Sequence, residues 1–296
     1  MLLCKICGSS GYSIAYEGAI RLGKFGNTSS ENYVLKKCNS CGAIALPSPT
    51  QDLSSYYESE SYRNEVDDGA EVRDYFKTHD SEQIRNLSIT GSSIYRDKVV
   101  ADIGCGGGSF LDNIRGLAKK AIAIEPSIKF REHLVNNGYV TFPYVIDALS
   151  KYENNVDIAV TFSVIEHLDD PLMTLKQIHR LLSSEGKLYL STPNADDFML
   201  KALPDIYPSF YYRKAHLWYF TPASLSKLLE IAGYNKIKII PYQRFGLSNF
   251  LMWLKDGKPK GDCVSEFVSP VMNSVWKSDL EQKLICDYLY VEASRD

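Results

Sequence analysis

The sequence predicts an α/β protein, a doubly wound and mostly parallel sheet with a small cysteine-rich module ahead of it. Three features carry this expectation. The apolar run VVADI (99–103) opens into a glycine cluster and then a helix-like stretch. From there strand-like and helix-like patterns alternate, which implies right-handed crossovers and a sheet covered on both faces. Upstream, four cysteines stand as two CxxC pairs.

Residues 1–46 read as a ribbon of short strands, YSIAYEGAIRL and NYVLKK, joined by the turn-rich GKFGNTSS. Residues 47–97 turn polar and aromatic, through LPSPT and YYESESY, and are expected to be a connecting segment of short helices. Residues 98–296 are the main domain. VVADI is its first strand, and SFLDNIRGL is a helix with Phe110, Ile114 and Leu117 on one face. AIAIE is the second strand, followed by a helix from Ser127 to Gly138. A third strand precedes Asp147 in YVIDALSKY, and DIAVTFS is the fourth. In DDPLMTLKQIHRLLSSEG, Asp170 caps a helix that Pro171 begins; Leu172, Leu175, Ile178 and Leu182 share a face, and Gly186 is the stop. KLYLSTP is the fifth strand, and an aromatic cap insertion spans about 195–220. TPASLSKLLEIAGY is a helix capped by Thr221 and Pro222; KIKIIPYQRF and LICDYLYVEAS, separated by a polar excursion, complete seven strands.

The 296 residues carry 33 Lys and Arg against 36 Asp and Glu, so no global positive field gathers nucleic acid or anionic membrane. Residues 1–50 hold five basic and two acidic side chains, too small an excess to carry a function. No apolar run approaches the roughly 20 residues that span a bilayer, and MLLCKICGSS lacks the apolar core of a signal peptide. A cytoplasmic protein is expected.

A glycine-rich turn between strand and helix sets backbone amides and a positive helix end beside a ligand. A nucleoside triphosphate loop needs a lysine at its end, and none follows before Lys119. The dinucleotide fingerprint fits Gly104 and Gly106 but meets Ser109 at its third glycine. Asp102, at the strand end, would repel a pyrophosphate and suits a ligand with ammonium and sulfonium groups. Glu125 ends the second strand, where a carboxylate can accept both ribose hydroxyls. Asp147 stands where it can accept from an adenine amino group. A redox enzyme is disfavoured: the YxxxK pair Tyr33 and Lys37 precedes the glycine turn, and Tyr234 and Lys238 fall in a strand pattern.

In chain order, ADIGCGGG, IEPS, IDA and FSVIEHLDDP resemble the motifs of class I S-adenosylmethionine-dependent methyltransferases, over roughly 99–294. The resemblance implies a Rossmann-like fold, S-adenosylmethionine as cofactor and methyl transfer to an acceptor. It implies cofactor contacts at Asp102, Gly104, Cys105 and Gly106, at Glu125, at Asp147 with Ala148, and at Ser163.

Methyl transfer is an in-line displacement, so alignment does most of the work, and a hydroxyl acceptor also needs a base. His167, just past the fourth strand, is the first candidate, against a role that merely shapes the pocket. His216, in RKAHLWYFTP, is the second, against a buried histidine among aromatics. His79, His133 and His179 are read as structural. The ubiquinone-type O-methyltransferases that FSVIEH also resembles have an acid that, with the Glu-His pair, helps hold a divalent metal; Ser163 occupies its place, which argues against a metal on Glu166 and His167. The aromatic segment before Trp218, with Arg213 and Lys214, fits a phosphate-bearing sugar.

Cys4, Cys7, Cys38 and Cys41, each pair followed by a glycine, form a zinc-ribbon pattern. Four thiolates close the coordination of Zn2+, so its expected role is structural. Cys105, Cys263 and Cys286 stand apart. Ribbon, EHLDDP and AHLWYFTPASL together resemble bacterial enzymes that methylate sugars in polysaccharide and natural-product pathways. Carbon-methylating members carry a further C-terminal domain, so the expected reaction is O-methylation of a sugar, nucleotide sugar or related small metabolite, without nucleic acid. The alternatives are a ribbon-docked RNA methyltransferase, disfavoured by the charge and by the lack of Asn-Pro-Pro-Tyr after the fourth strand, and a non-catalytic cofactor-binding scaffold.

Overall fold

The computed structural model describes residues 3–23, 26–47, 58, 72–261, 263 and 265–296; residues 48–57 and 59–71 of the expected connecting segment lie outside these. At the N-terminus β1 (Tyr12–Gly18) and β2 (Tyr33–Cys38) pair antiparallel, and β3 (Ile44–Ala45) adds to β2. Helix α1 (Val72–Thr90) leads into the main domain. There follow β4 (Val99–Ile103), α2 (Ser109–Ile114), β5 (Lys120–Ile124), α3 (Ile128–Asn136), β6 (Val140–Phe142), α4 (Val145–Tyr152) and β7 (Val156–Phe162). Next come α5 (Pro171–Leu181), β8 (Leu182–Pro193), α6 (Met199–Ala202), α7 (Tyr207–Tyr211) and β9 (Trp218–Tyr219). The chain ends through α8 (Pro222–Ala232), β10 (Asn235–Tyr242), α9 (Leu247–Asp256), α10 (Pro270–Gln282) and β11 (Tyr288–Ser294).

The main sheet has seven strands in the order β10-β11-β8-β7-β4-β5-β6. β8, β7, β4, β5 and β6 run parallel, while β11 is antiparallel to both its neighbours. The Rossmann-like expectation is met, and the reason is visible in β4. Val100 and Ala101 are fully buried on opposite faces, in two separate apolar clusters, so this strand has helices or loops on both sides. A second sheet, β1-β2-β3-β9, joins the cysteine module to the aromatic insertion through Ile44 opposite Tyr219 and Ala45 opposite Trp218. No helix among the described residues is long and apolar enough to cross a membrane.

Local expectations fail in four places. VIDALSKY is helix α4, and its buried residues Val145, Ala148, Leu149 and Tyr152 fall at three- and four-residue spacings; β6 stops at Phe142, ahead of Pro143. Gly186 stops no helix, because the chain is already extended at Leu182, which pairs with Val156. Leu117 lies beyond the end of α2, whose buried face is Ser109, Phe110, Leu111 and Ile114. The polar excursion holds α9 and α10, each started by a capping position and closed after a few turns.

Candidate active site

Strand order reverses at β4 and β7, the neighbours at the centre of the sheet, and such a switch point leaves a crevice outside the carboxyl ends of the strands. A cavity of about 540 Å³ opens there, lined by Ile103 and Gly104 after β4, Glu125 after β5, and Phe162, Ser163 and Val164 after β7. Its volume suits a nucleoside-sized ligand together with part of an acceptor.

The glycine turn is built for close approach. Gly104 and Gly106 have φ of +74° and +56°, and a Cβ at Gly104 would lie 2.5 Å from the Val164 side chain. A Cβ at Gly106 would lie 2.6 Å from the ring of Tyr75, whose hydroxyl donates to the Cys105 carbonyl at 3.2 Å. Gly106 therefore admits a side chain of α1 against the turn, while Gly104 lines the cavity.

The two acids of the first strands behave differently. Glu125 accepts from the main-chain amides of Gly106 at 2.8 Å and Ser127 at 3.0 Å, one through each oxygen. Each oxygen keeps a second lone pair for a ribose hydroxyl. Asp102 is buried beneath the turn, and burial, reinforced by the Glu125 charge, pushes its carboxyl up to about 8. A cation above the turn would draw its proton off.

Asp147 does not line the cavity. It sits exposed in the first turn of α4, where its carboxylate accepts from the Tyr144 amide at 3.2 Å. Ala148 is buried against the core behind it, and Cys105 is buried below the glycine turn without lining the cavity. The adenine-side wall is instead Pro143, Tyr144 and Val145. Ser163 does line the cavity, in a left-handed conformation (φ +57°), its hydroxyl bonded to Tyr288 and to Glu82 at 3.2 Å. Such a conformation at a strand end costs of order 1 kcal/mol and is held by its surroundings.

His167 and His216 come together although 48 residues separate them, with ring centroids 4.7 Å apart. His167 Nδ1 faces the Ala215 carbonyl at 2.8 Å. A carbonyl only accepts, so Nδ1 carries the proton and the neutral ring has its lone pair on Nε2. His216 is buried, its Nδ1 without a partner among the described residues; burial and the neighbouring His167 push it well below the usual histidine range. Glu166 accepts from the Thr192 hydroxyl at 3.0 Å, and burial pushes it up to about 8. Glu166, His167 and His216 bring one donor atom each within 4.8 Å. His216 folds onto the Glu166–His167 pair, a convergence that the serine at position 163 does not reveal.

His79, read as structural, lines the same cavity and stacks on Tyr75 at 4.5 Å. Tyr75, Glu82, Arg244 and Tyr288 are further lining residues that motif reading missed. Only the tight glycine spacing hinted at a lid over the turn. The cysteine module reaches the cavity too, through Leu22 and Gly23.

In that module the sulfurs of Cys4 and Cys41 lie 3.7 Å apart and those of Cys7 and Cys38 3.6 Å apart, all four without disulfides. Zinc–sulfur bonds of about 2.3 Å in a tetrahedron place sulfurs at close to this separation. Gly8 and Gly42, at φ of +73° and +77°, return their amides to the carbonyls of Cys4 and Cys38. The donor set fits zinc.

Residues 81–239, more than half of the chain, match the family described as a methyltransferase domain, and the chain belongs to that family. The class so defined is that of S-adenosylmethionine-dependent methyltransferases. Among curated proteins the chain is similar to the tRNA U34 carboxymethyltransferase of Aliarcobacter butzleri, 31% identical over 156 residues, which are 49% of this chain and 50% of that protein. The protein of the same name from Campylobacter hominis is 29% identical over 154 residues, 48% of this chain and 52% of that one. The chain thus spans about half the length of these relatives. A solved S-adenosylmethionine-dependent methyltransferase from Archaeoglobus fulgidus is similar with a TM-score of 0.49 and 20% identity, over 74% of this chain and 99% of that one.

These relatives overturn two expectations. The sugar or small-metabolite acceptor of a polysaccharide pathway and the absence of a nucleic-acid partner both give way, since the named relatives act on tRNA. The physical error lay in reading partners from net charge. A formal −3 averages over a surface and says nothing about guanidiniums such as Arg213 and Arg244 gathered at one cavity.

Proposed function

We propose that this protein transfers the activated carbon of S-adenosylmethionine to RNA, with transfer RNA the first class to test. The observation that carries the proposal is the likeness to the tRNA U34 carboxymethyltransferases. Under this reading the Glu125 carboxylate holds the ribose, the amides of the glycine turn and Asp102 face the methionine end, and Ser163 sits beside the reacting centre. When bound, S-adenosylmethionine supplies an electrophilic carbon on a sulfonium. His167 takes the acceptor proton on Nε2, with Nδ1 anchored at Ala215, and His216 stays neutral behind it. The cysteine module, with zinc on Cys4, Cys7, Cys38 and Cys41, forms the outer wall of the acceptor end through Leu22 and Gly23. RNA as acceptor agrees with the cytoplasmic expectation.

The test is incubation of purified protein with methyl-labelled S-adenosylmethionine and total tRNA, followed by nucleoside digestion and mass spectrometry. A labelled nucleoside that depends on the protein is expected. Absence of label in tRNA and in ribosomal RNA alike overturns the proposal.

A further inference from the structure

Arg244 lies outside the matched methyltransferase segment 81–239, after β10, yet it lines the central cavity. Its surroundings hold it still. The Asp287 carboxylate accepts from Arg244 Nε at 2.7 Å and from the Arg244 amide at 2.8 Å. The guanidinium carbon lies 4.1 Å from the centre of the Tyr288 ring, and Lys277 Nζ donates to the Arg244 carbonyl at 2.7 Å. All of these contacts engage the near side of the guanidinium or the main chain. Neither terminal nitrogen has a hydrogen-bond partner among the described residues, although together they carry most of the donors of the planar fork.

Other charges decide what such a fork can bind. Besides Asp287, the Glu82 charge also acts on Arg244, but Arg85 and His79 flank Glu82 at 3.5 and 3.9 Å. Arg213 lines the same cavity without an ion pair among the described residues, and Arg21 lies buried over Phe210, its Nε unpartnered. Electrostatically, Arg244 acts on Glu166 and His216, whereas Asp102 responds to Glu125. Tyr288, on which the guanidinium stacks, bonds to Ser163 in the loop that leads to His167, so the arginine belongs to that end of the cavity.

We propose that Arg244, with Arg213 beside the same cavity, is an oxyanion site that holds a phosphate of the acceptor. A guanidinium fixed at Nε and stacked on an aromatic face loses little freedom on binding, and its free fork matches two oxygens of a phosphate. Identifying the bearer of that phosphate as RNA rests on the proposed function; the oxyanion site does not.

The experiment is calorimetric titration of inorganic phosphate into protein saturated with S-adenosylhomocysteine, for wild type, Arg244→Gln and Arg244→Lys. Saturable phosphate binding is expected, weakened about tenfold or more by Arg244→Gln and by an intermediate factor in Arg244→Lys, which keeps the charge without the fork. Affinity for S-adenosylhomocysteine should be unchanged in both variants. Equal phosphate binding by wild type and Arg244→Gln overturns the proposal. So does a parallel loss of S-adenosylhomocysteine affinity, which would assign the guanidinium to the carboxylate of the cofactor. Should Arg244→Gln fail to fold, Arg244→Lys decides alone, an unweakened affinity overturning the site. If tRNA takes no label while phosphate still binds through Arg244, the RNA reading falls and the oxyanion site stands.

Discussion

Asp102 and Glu125 stand at the ends of adjacent strands and carry the same functional group in different surroundings. Glu125 accepts two main-chain amides; Asp102 is buried, and burial with the Glu125 charge holds its carboxyl up at about 8. An acid whose folded pKa is raised stabilises the fold most below its unfolded value near 4, and that contribution is lost as pH rises toward 8. Asp102→Asn, neutral throughout, should therefore gain stability over wild type as pH rises from 5 to 8, read as a widening gap between melting temperatures. A constant gap would mean that Asp102 does not titrate in this range. Removing Glu125 leaves a bound ribose unpaired, so Glu125→Ala should weaken S-adenosylmethionine binding by about 1 to 3 kcal/mol. Unchanged calorimetric affinity removes Glu125 from the site. For the histidines, His167→Ala should cut turnover while leaving cofactor affinity intact; full turnover in both His167→Ala and His216→Ala would end the base assignment. Glu125 and Ser163 were legible as cavity-lining positions because each directly follows a strand whose pattern is plain, and His167 because it lies in the turn just past the second of these strands. Asp147 was misplaced because a short amphipathic helix after a three-residue strand reads as a longer strand.

Among the elements, the junction of β3 with β9 carries the most consequence. Two residue pairs tie the cysteine module to β9, which begins two positions after His216, and Lys5 adds an exposed ion pair to Asp169 at 2.6 Å, worth little by itself. The module is too small for a core of its own, so its order depends on the metal site and on this junction. Purified protein should contain one zinc per chain by elemental analysis. Cys38→Ser or a strong chelator should lower the melting temperature and, if the module walls the acceptor side as proposed, depress acceptor turnover more than cofactor affinity. Equal turnover after complete zinc removal would separate the module from the site. At α8 the sequence was a reliable guide: Thr221 caps the helix through Ser224 and Pro222 takes its first turn, as expected. Thr221→Ala should cost about 1 kcal/mol in denaturant unfolding.

For the whole molecule, the decisive property is that β4 and β7 are neighbours. Their adjacency sets the glycine turn and the Ser163–His167 segment on one crevice, and calorimetry with S-adenosylmethionine and with NAD in parallel should show saturable binding of the first alone. Binding of NAD alone would return the protein to redox chemistry. The sequence by itself determined the α/β class, the strand-turn-helix at the glycine cluster, the caps of α5 and α8 at Asp170 and Thr221, and the four-thiolate pattern. Each of these is written in residues a few positions apart, where backbone geometry and side-chain period leave few choices. Only the tertiary structure decided that Tyr75 covers the glycine turn with His79 stacked on it, that His216 meets His167, and that Arg244 and Tyr288 line the same cavity. Those side chains lie from about thirty to nearly two hundred residues from the motif they serve, and their convergence depends on how helices and the antiparallel β11 pack on the sheet, a balance of burial that no local spacing encodes.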